Sequence, residues 1–531
     1  MAKTPQHTLP QQKYQDVRYL KPHESLKEDL GKIYKDNELL VGWPRNHIDT
    51  YHETASGRFI GIIGGQLGDE GKGRIVDNKI AALLRDPAIQ HVHVIRFNGG
   101  SNAGHTIEKD GVKLALHQVP SGVFYKRALG IMDTGMVINI EDLETEVAYL
   151  EESVGSLRGR LVLSDRAALN TDLERVLEWF NNQNRSQSRG GTSRGISPTY
   201  ARRLDRTGLT IRDLLSENWR KKLSVQYDDL ATLCRAFGID IADVIVPDFR
   251  LSVKKKQAAT RTVGSKLVFL KRLTVARDWL LTRNLIADTT SLHEKAAQDT
   301  SYGVIFEGAQ GVGLDPWLGT WPDVTSSPTT LSGITTGTGF YTPDRLSTRL
   351  VIIKHNPSSV GRRRMPTHID LPKDSNTLPA NASEELIYAA WVREVANERG
   401  TTTGRYRDLN YLDLPFLTFN LRVSEANQIG ITHIDIAKKD MPVKVCYGYR
   451  DKSGNFVRYR PDLAFLESVT PQYVELPGWD GMLCQKAKRF ADLPENAKKY
   501  LAFIQRRTGY PVTVLTTGAA HANIIEISES Y

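Results

Sequence analysis

Short apolar runs that end in glycine or a polar residue are the feature of this sequence that most constrains its fold. The first run is Phe59–Gly65, FIGIIGG, which is rich in isoleucine and predicts a buried strand entering a loop. Similar runs recur at Val92–Phe97, Leu161–Leu163, Gly303–Phe306, Leu350–Lys354, Lys444–Tyr449 and Pro511–Leu515. Repeated runs of this kind predict the buried strands of one large sheet.

Helical patterns separate several of these runs. Asn139 is a predicted N-cap for a helix through Leu150, and Pro494 stands at the first turn of an amphipathic stretch that ends before Gly509. Strands that alternate with helices predict an α/β fold with a mostly parallel central sheet covered by helices. In such sheets ligands bind beyond the carboxyl ends of the strands, which is where the glycine-rich loops of this sequence lie.

The chain divides into two parts by composition. Residues 1–55 are polar and show no sustained period, so they predict a polar N-terminal extension. Residues 56–531 carry the apolar runs and predict one large folded domain, longer than the about 100–200 residues of an ordinary domain. The cluster Arg362–Arg364 lies in this second part and has two interpretations: it recruits an anionic substrate, or it pairs with acids of the extension.

Cysteine usage and charge narrow the class of protein. Three widely spaced cysteines predict neither a disulfide framework nor a metal site, and no apolar run approaches the about 20 residues that cross a bilayer. We therefore expect a cytoplasmic protein without membrane contact. A net charge of +9 suits nucleotides, nucleic acid or a solvated basic surface. The run Lys254–Lys256 has no interleaved aromatic residues, which favours a solvated face over nucleic-acid binding.

The loop after the first predicted strand has the character of a phosphate-binding loop. Residues Gly64–Gly73, GGQLGDEGKG, offer backbone N–H groups and a lysine to a phosphate. The loop does not match the Walker A pattern, because Gly73 stands where that pattern has the Ser or Thr that binds magnesium. Asp69 would repel phosphate unless a metal ion or a proton transfer requires it. The alternative is a structural turn rich in glycine and aspartate.

A second loop follows the next predicted strand. Residues Phe97–Thr106, FNGGSNAGHT, surround one histidine with small residues that let a ligand approach. His105 is a candidate general acid, since its ordinary pKa suits proton transfer near neutral pH. The alternative is a histidine that only makes a hydrogen bond at the end of a strand.

Both loops resemble signatures of the adenylosuccinate synthetase family. The Gly65–Gly73 segment resembles the family's QWGDEGKG, and Asn102–Thr106, NAGHT, resembles its second signature. Further segments resemble family blocks in the same order: Leu116–His117, Pro120–Gly122, Ser164–Ala167, Gly191–Pro198, Phe306–Gly311, Val324–Ser327, Thr401–Arg407 and Lys444–Arg450. The resemblance extends over residues 58–520.

The resemblance implies a ligase that joins inosine monophosphate (IMP) to L-aspartate, with GTP as phosphoryl donor and Mg²⁺ as cofactor. In that family O6 of IMP is first phosphorylated, and the aspartate amine then displaces the phosphate. Asp69 matches the general base and a magnesium ligand, and the Gly104 carbonyl matches a second ligand. Lys72 matches a residue that neutralises charge on the transferred group, and His105 matches the acid that assists departure of the β-phosphate side.

The resemblance also assigns binding residues. Those matched to IMP are Asn102, Thr192, Arg206, Gln310, Thr325 and Arg405. Those matched to aspartate are Thr401, Thr402, Thr403 and Arg405. Those matched to GTP are Gly68, Glu70, Gly71, Lys72, Gly73, Gly104, His105, Thr106, Arg407, His433, Asp435, Thr517 and Gly518. Arg206 matches an arginine that a neighbouring subunit donates, which implies a homodimer with shared sites.

The sequence departs from the family pattern at several positions. Leu67 replaces a tryptophan, Gly191 replaces a threonine, and Asn410-Tyr411 replaces Gly-Trp. His433 replaces the lysine that lies along guanine, and Ala519-Ala520 replaces Pro-Asp. Asp435 is kept and can accept two hydrogen bonds from guanine, so we expect GTP to be preferred over ATP by less than is usual in the family.

Three other functions compete with this interpretation. The first is that this protein is another enzyme of the same family, one that acts on a 2-amino purine nucleotide such as dGMP. We expect IMP instead, because Asp69 is retained. A non-catalytic nucleotide-binding protein is disfavoured by the intact set Asp69, Lys72, His105 and Arg405. A nucleic-acid-binding protein has only the basic pI of 9.2 in its favour.

Overall fold

The structure is a computed structural model that describes residues 57–109, 111–183, 191–255, 257–341, 343–359, 365–372, 378–379, 381–399, 406–518 and 522–527. The predicted extension, residues 1–55, lies outside this range. The strands are β1 Phe59–Gly64, β2 His91–Arg96, β3 His105–Lys109, β4 Val112–Leu116, β5 Ala128–Met132, β6 Val137–Asn139, β7 Leu161–Ser164, β8 Ala168–Asn170, β9 Ile245–Pro247, β10 Thr260–Thr262, β11 Ile286–Ala287, β12 Tyr302–Gly311, β13 Thr348–Lys354, β14 Ser358–Ser359, β15 His368–Ile369, β16 Asp408–Asn410, β17 Leu412–Asp413, β18 Gln428–Thr432, β19 Val443–Arg450, β20 Phe456–Val457, β21 Thr470–Leu476, β22 Val512–Thr516 and β23 Ile524–Glu526.

The helices of the described residues alternate with these strands. They are α1 Lys72–Arg85, α2 Ile140–Val154, α3 Asp172–Gln183, α4 Ile196–Leu204, α5 Ile211–Leu215, α6 Trp219–Ala236, α7 Phe249–Lys255, α8 Lys266–Arg283, α9 Thr289–Gln298, α10 Ser332–Thr338, α11 Glu384–Val395, α12 Leu414–Val423, α13 Leu463–Ser468, α14 Gly481–Lys486 and α15 Glu495–Thr508. Short 3₁₀ turns occupy Ile241–Asp243, Val312–Leu314, Pro343–Arg345, Ile434–Ile436 and Phe490–Asp492. None of the helices in the described ranges has both the length and the apolar character needed to cross a bilayer.

A ten-stranded sheet lies at the centre of the fold. Its strand order is β11-β7-β5-β2-β12-β1-β13-β18-β22-β23. Every neighbouring pair is parallel except β22 and β23, which are antiparallel. The α/β class and the mostly parallel sheet predicted from the sequence are therefore confirmed.

Helices bury both faces of this sheet, because successive side chains of a strand point to opposite sides. Ile62 packs with the apolar residues of α1 on one face, and the next residue, Ile63, packs in the cluster on the other. That second cluster includes residues of α10, α12 and α15. Such burial on both faces explains why β1 reads as a continuous apolar run and not as an alternating one.

The predicted helix boundaries have a clear physical basis. The side chain of Asn139 accepts a hydrogen bond from the Asp142 N–H and caps α2, which continues to Val154, beyond the predicted end at Leu150. Helix α15 begins directly after Pro494 and ends at Gly509, whose φ of 78° is the left-handed conformation that glycine adopts readily.

One predicted strand belongs elsewhere. The run Lys444–Tyr449 forms most of β19, but β19 lies in a separate sheet with β17, β20 and β21, where it is antiparallel to β20 and β21. Its burial is interrupted, unlike the nearly continuous burial of β1, and Lys444 and Tyr447 are only half-buried. An apolar run alone therefore identified a strand without identifying its sheet.

Candidate active site

The first glycine-rich loop joins β1 to α1 and is held by its own glutamate. Glu70 is fully buried, and its Oε1 accepts hydrogen bonds from the N–H groups of Gln66 at 3.1 Å and Gly68 at 2.8 Å. Its Oε2 lies 2.7 Å from Nζ of Lys72. Burial raises the pKa of Glu70, against the opposing effect of Lys72. The loop therefore presents the N-terminus of α1 in a fixed shape, which suits an anion.

Three residues in this loop adopt left-handed backbone conformations. Gly68 has a φ of 98°, Gly71 of 81° and Asp69 of 46°. Such values are uncommon for a residue with a side chain. The side chain of Asp69 is 34% exposed, in contrast to the buried Glu70 beside it. The acid that the sequence singled out therefore lies on the open side of the loop.

The second loop ends at His105, the first residue of β3. Nδ1 of His105 is hydrogen-bonded to Oε1 of Glu307, which comes from β12 between the strands that precede the two loops. Ser121 donates to the same carboxylate from its N–H at 2.8 Å and from Oγ at 2.6 Å. Burial alone would raise the pKa of Glu307, but His105, Arg96 and Ser121 together lower it to about 2.

The ionised Glu307 fixes the orientation of the imidazole. Burial lowers the pKa of His105 despite the carboxylate. The ring is therefore neutral near pH 7, donates from Nδ1 to Glu307, and has Nε2 left for a ligand. His105 thus makes the hydrogen bond expected of a histidine at a strand end, and its role as a general acid stays a prediction.

The two loops approach each other through Gly73. A Cβ atom added to Gly73 would lie 3.4 Å from Cβ of His105, so α1 and the start of β3 are packed in close contact at this glycine. The neighbouring predicted residues Gly104 and Thr106 are exposed, and Asn102 is half-buried. Among the described residues the Oδ1 atom of Asn102 has no hydrogen-bond partner although it is buried, which suits an atom that awaits a ligand.

A chain of ion pairs connects the first loop with buried charged residues in the interior. Oδ2 of Asp69 lies 2.9 Å from Nη2 of Arg407, whose Nη1 lies 2.9 Å from Oε2 of Glu398. Oε1 of Glu398 lies 2.5 Å from Nζ of Lys354 at the end of β13. Burial would raise the pKa of Glu398, but Lys354 and Arg407 lower it to about 2.

The residues predicted to read guanine gather at the ends of β18 and β22. Asp435 is half-buried, and its Oδ2 accepts a hydrogen bond from Nε2 of Gln485 at 3.1 Å. Arg74 of α1 donates to the carbonyl of Gly518. The Oγ1 atom of Thr517 is buried and has no hydrogen-bond partner in the described part of the chain. Arg74, which sequence reasoning missed, thus joins this group.

His433 lies beside this group in a strained conformation. Its φ is 61°, and its N–H donates to Oγ1 of Thr516 at 3.1 Å. Burial, together with Lys354, lowers the pKa of His433 to about 3 despite Glu398. A neutral ring therefore stands where the family has a charged lysine.

The other predicted IMP residues that the structure describes are spread over several segments of the chain. Gln310 is the last residue but one of β12 and has a φ of 58°. Its Oε1 accepts a hydrogen bond from Oγ of Ser327 at 3.2 Å. Thr325 is half-buried, and its N–H donates to the carbonyl of Leu314 at 2.7 Å. Arg206 is exposed just beyond α4, with a φ of 63°. Arg206 is therefore a surface residue.

Thr192 is exposed on a loop that Glu178 of α3 stabilises. Oε1 of Glu178 accepts from the N–H of Ser193 at 3.2 Å, and Oε2 accepts from the N–H of Gly195 at 2.6 Å. A Cβ atom added to Gly191 would collide with Oε1 of Glu178. With Glu178 in this position, residue 191 has room for glycine but not for the threonine that is usual in the family.

Several predicted residues cannot be compared with the structure. Thr401, Thr402, Thr403 and Arg405, predicted to bind aspartate, lie outside the described residues, as do Arg362–Arg364 and Ala519-Ala520. Within the described ranges, no three His, Cys, Asp or Glu side chains gather as a metal site. The three cysteines are buried free thiols.

Sequence reasoning missed the charged residues that hold the site from behind. Glu307, Lys354 and Glu398 are buried, and each binds a predicted residue or its partner. The available signal for Glu307 and Lys354 was a charge within or at the end of an otherwise apolar strand. Glu398 carried no such signal.

The parallel sheet brings two glycine-rich loops and a carboxylate-bound histidine to the carboxyl ends of its strands, an arrangement typical of α/β enzymes. The adenylosuccinate synthetase family model matches residues 61–525. The chain belongs to the adenylosuccinate synthetase family, and it is thus an enzyme, a ligase of purine nucleotide biosynthesis.

Individual relatives agree with this assignment. The chain is 32% identical over 470 residues to adenylosuccinate synthetase from Paramecium tetraurelia, covering 88% of this chain and 97% of the relative. It is 32% identical over 468 residues to the enzyme from Caldicellulosiruptor saccharolyticus, covering 87% and 98%. The structure of fully ligated adenylosuccinate synthetase from Plasmodium falciparum is similar with a TM-score of 0.74 and 28% identity, covering 89% of this chain and 100% of that one.

Proposed function

We propose that this enzyme joins IMP and L-aspartate to form adenylosuccinate while GTP is converted to GDP and phosphate, through a 6-phosphoryl-IMP intermediate. The observation that carries the proposal is the position of Asp69. A carboxylate on the open side of a phosphate loop opposes phosphate binding unless it takes part in the chemistry. The names of the relatives support the same reaction.

Asp69 performs the first step in this proposal. Its carboxylate accepts the N1 proton of IMP, so that the electron pair of that N–H bond moves through the ring and makes O6 nucleophilic. O6 then attacks the γ-phosphorus of GTP, the bond from that phosphorus to the bridging oxygen breaks, and GDP leaves. Lys72, next to the loop backbone, neutralises charge on the transferred group.

His105 assists the departure of GDP. Its Nε2 faces the leaving group in this proposal, while Glu307 holds Nδ1 and stabilises the positive ring when it is protonated. The aspartate amine, in its neutral form, then attacks C6, the C6–O6 bond breaks to release phosphate, and the proton lost by the new C–N nitrogen leaves with the phosphate. Thr401, Thr402, Thr403 and Arg405 remain the predicted aspartate-binding residues.

The oxygen donors of the two loops fit Mg²⁺. This ion prefers oxygen ligands and keeps one or two protein ligands together with waters and phosphate oxygens. Asp69 offers a partly exposed carboxylate, and Gly104 is exposed at the end of the second loop, so its carbonyl is available. Mg²⁺ bound there would neutralise charge on the phosphoryl oxygens.

The remaining ligands follow the predicted residues. Asn102, Gln310 and Thr325 bind IMP together with Thr192, and Arg206 enters the site of a partner subunit in a homodimer. Gly68, Gly71, Gly73 and Lys72 bind the triphosphate of GTP, and Asp435 with Thr517 and Gly518 binds its base. Glu70 acts by holding the loop, since its carboxylate is already engaged.

One assay tests the reaction and its alternative. Purified protein is incubated with IMP or dGMP, aspartate, Mg²⁺ and GTP or ATP, and the products are identified by mass, with Asp69→Asn as the inactive control. Adenylosuccinate formed only when IMP and aspartate are both present is the expected result. A product from dGMP alone would overturn IMP as substrate, and no product with any pair would overturn catalysis.

A further inference from the structure

A buried chain of charges ends on the carboxylate that the proposed reaction uses as a base. It runs from Lys354 through Glu398 and Arg407 to Asp69, with separations of 2.5, 2.9 and 2.9 Å. The side chains of the first three residues are 3%, 1% and 9% exposed, whereas that of Asp69 is 34% exposed. The chain therefore leads from the interior to the open side of the phosphate loop.

Glu398 is the central member of this chain. Its Oε1 binds Lys354, while its Oε2 accepts from Nη1 of Arg407 at 2.9 Å and from Oγ of Ser358 at 2.9 Å. The Arg407 N–H also donates to the carbonyl of Glu398 at 2.9 Å. Both the backbone and the guanidinium of Arg407 are thus held by one residue.

The geometry of a guanidinium explains why this matters. The group is planar and rigid, so fixing Nη1 on Glu398 also fixes the direction of Nη2. In the present structure Nη2 contacts Asp69. A phosphate oxygen at the same loop is an alternative acceptor for that nitrogen, and Arg407 is the residue predicted to reach the triphosphate.

We propose that Glu398 is a positioning residue that sets Arg407 between Asp69 and the triphosphate. Arg407 keeps Nη1 on Glu398 in both states: its Nη2 binds Asp69 when no triphosphate is present and exchanges that acceptor for a phosphate oxygen at the same loop when one binds, which releases the base for IMP. Glu398 itself touches no substrate and acts only through Arg407. This inference rests on the proposed function, because it assigns Asp69 and Arg407 the roles given above.

A double-mutant cycle separates this role from a general structural one. The dissociation constant of a non-hydrolysable GTP analogue, the β,γ-imido triphosphate, is measured with Mg²⁺ by calorimetry for the wild type, Glu398→Gln, Arg407→Met and the double variant. We expect each single change to weaken binding by about tenfold, the scale of one charge-assisted hydrogen bond. We expect the double variant to bind no more weakly than Arg407→Met, because Glu398 has lost the residue it acts on.

The control is Glu141→Gln. Glu141 lies 3.3 Å from both Arg261 and Arg272, so it also bridges two cations, but on α2 away from the loops. We expect this variant to keep the affinity of the wild type. If Glu398→Gln does not fold, Glu398→Asp takes its place in the cycle, since the shorter side chain cannot span Lys354 and Arg407 together.

The outcomes distinguish this inference from the proposed function. If the fold-losses in affinity of the two single variants multiply in the double variant, the positioning role of Glu398 is overturned and the proposed reaction is not affected. A non-additive cycle in a protein that makes no adenylosuccinate would overturn the reaction and leave the role of Glu398 in triphosphate binding. A wild type that does not bind the analogue would overturn both.

Discussion

The Nε2 of Gln485 lies 3.1 Å from Oδ2 of Asp435 and donates a hydrogen bond to it, so one oxygen of the carboxylate predicted to bind guanine already has a partner. The pair is exposed to solvent on the side of Gln485. In the proposed complex, guanine therefore takes the place of a surface glutamine on this carboxylate. This exchange reduces the gain from binding guanine and bears directly on selectivity.

We predict that GTP is preferred over ATP through Asp435. Its carboxylate accepts from the two donors of the guanine edge, whereas adenine presents an acceptor at N1. Mispairing costs roughly 1–3 kcal/mol, which corresponds to about tenfold to a hundredfold in kcat/KM. Asp435→Ala should remove most of this preference, whereas Gln485→Ala, which removes the competing donor, should keep or increase it. Equal kcat/KM values for GTP and ATP in the wild type would exclude guanine recognition by Asp435.

We predict that triphosphate binding takes up a proton at His105. Burial lowers the pKa of His105 in the free enzyme, so the ring is neutral near pH 7, and a bound polyanion raises that pKa. The contribution of His105 to affinity is thus present below the pKa of the complex and is lost as pH rises through it. Calorimetric titrations in two buffers of different ionisation enthalpy report the uptake. The uptake should disappear in His105→Asn, and an unchanged value in that variant would assign the proton to another group.

We predict that two inactive variants restore activity when their subunits exchange. Asp69→Asn removes the base and a magnesium ligand, and loss of acid–base catalysis alone costs about a hundred- to ten-thousand-fold. Arg206→Leu removes the arginine that is expected in the partner's site. A mixed dimer has one site in which both residues are intact. Arg235→Leu, a change at another exposed arginine, should stay active by itself. Exchange shown by mass without recovered turnover would exclude shared sites.

We predict that His355 destabilises the fold in mild acid. Burial lowers its pKa to about 3, below the about 6.5 of an unfolded histidine, so the unfolded chain binds a proton first. Stability from this residue is therefore complete above pH 6.5 and falls as pH decreases toward 3. At pH 5 the loss is about 2 kcal/mol. His355→Phe should flatten this dependence in urea titrations at pH 7.5 and 5, because phenylalanine has no group that binds a proton. The variant should still fold, since Tyr388 keeps its hydrogen bond to Asn356. An identical pH dependence in both proteins would contradict the assignment.

The sequence predicted the central sheet because its parallel strands are buried on both faces and read as apolar runs. It did not predict the sheet of β19, since a strand in a smaller antiparallel sheet produces a similar run. The positions of Asp69, on the open side of its loop, and of the buried His105 could be predicted as candidates because glycine-rich loops mark them, and their roles stay predictions. The sequence did not predict the supporting roles of Glu307, Arg74 and Glu398. Each contacts a residue that only tertiary folding brings next to it: His105, Gly518 and Arg407, respectively.

The hydrogen bonds of Glu70 have a consequence for the thermodynamics of ligand capture. The carboxylate binds two loop N–H groups and the Lys72 ammonium before any nucleotide arrives. Ordering a flexible loop costs conformational entropy, about 1–2 kcal/mol for each residue fixed. In this enzyme that entropy is lost when the chain folds, so it would not reduce the affinity of the loop for the proposed triphosphate.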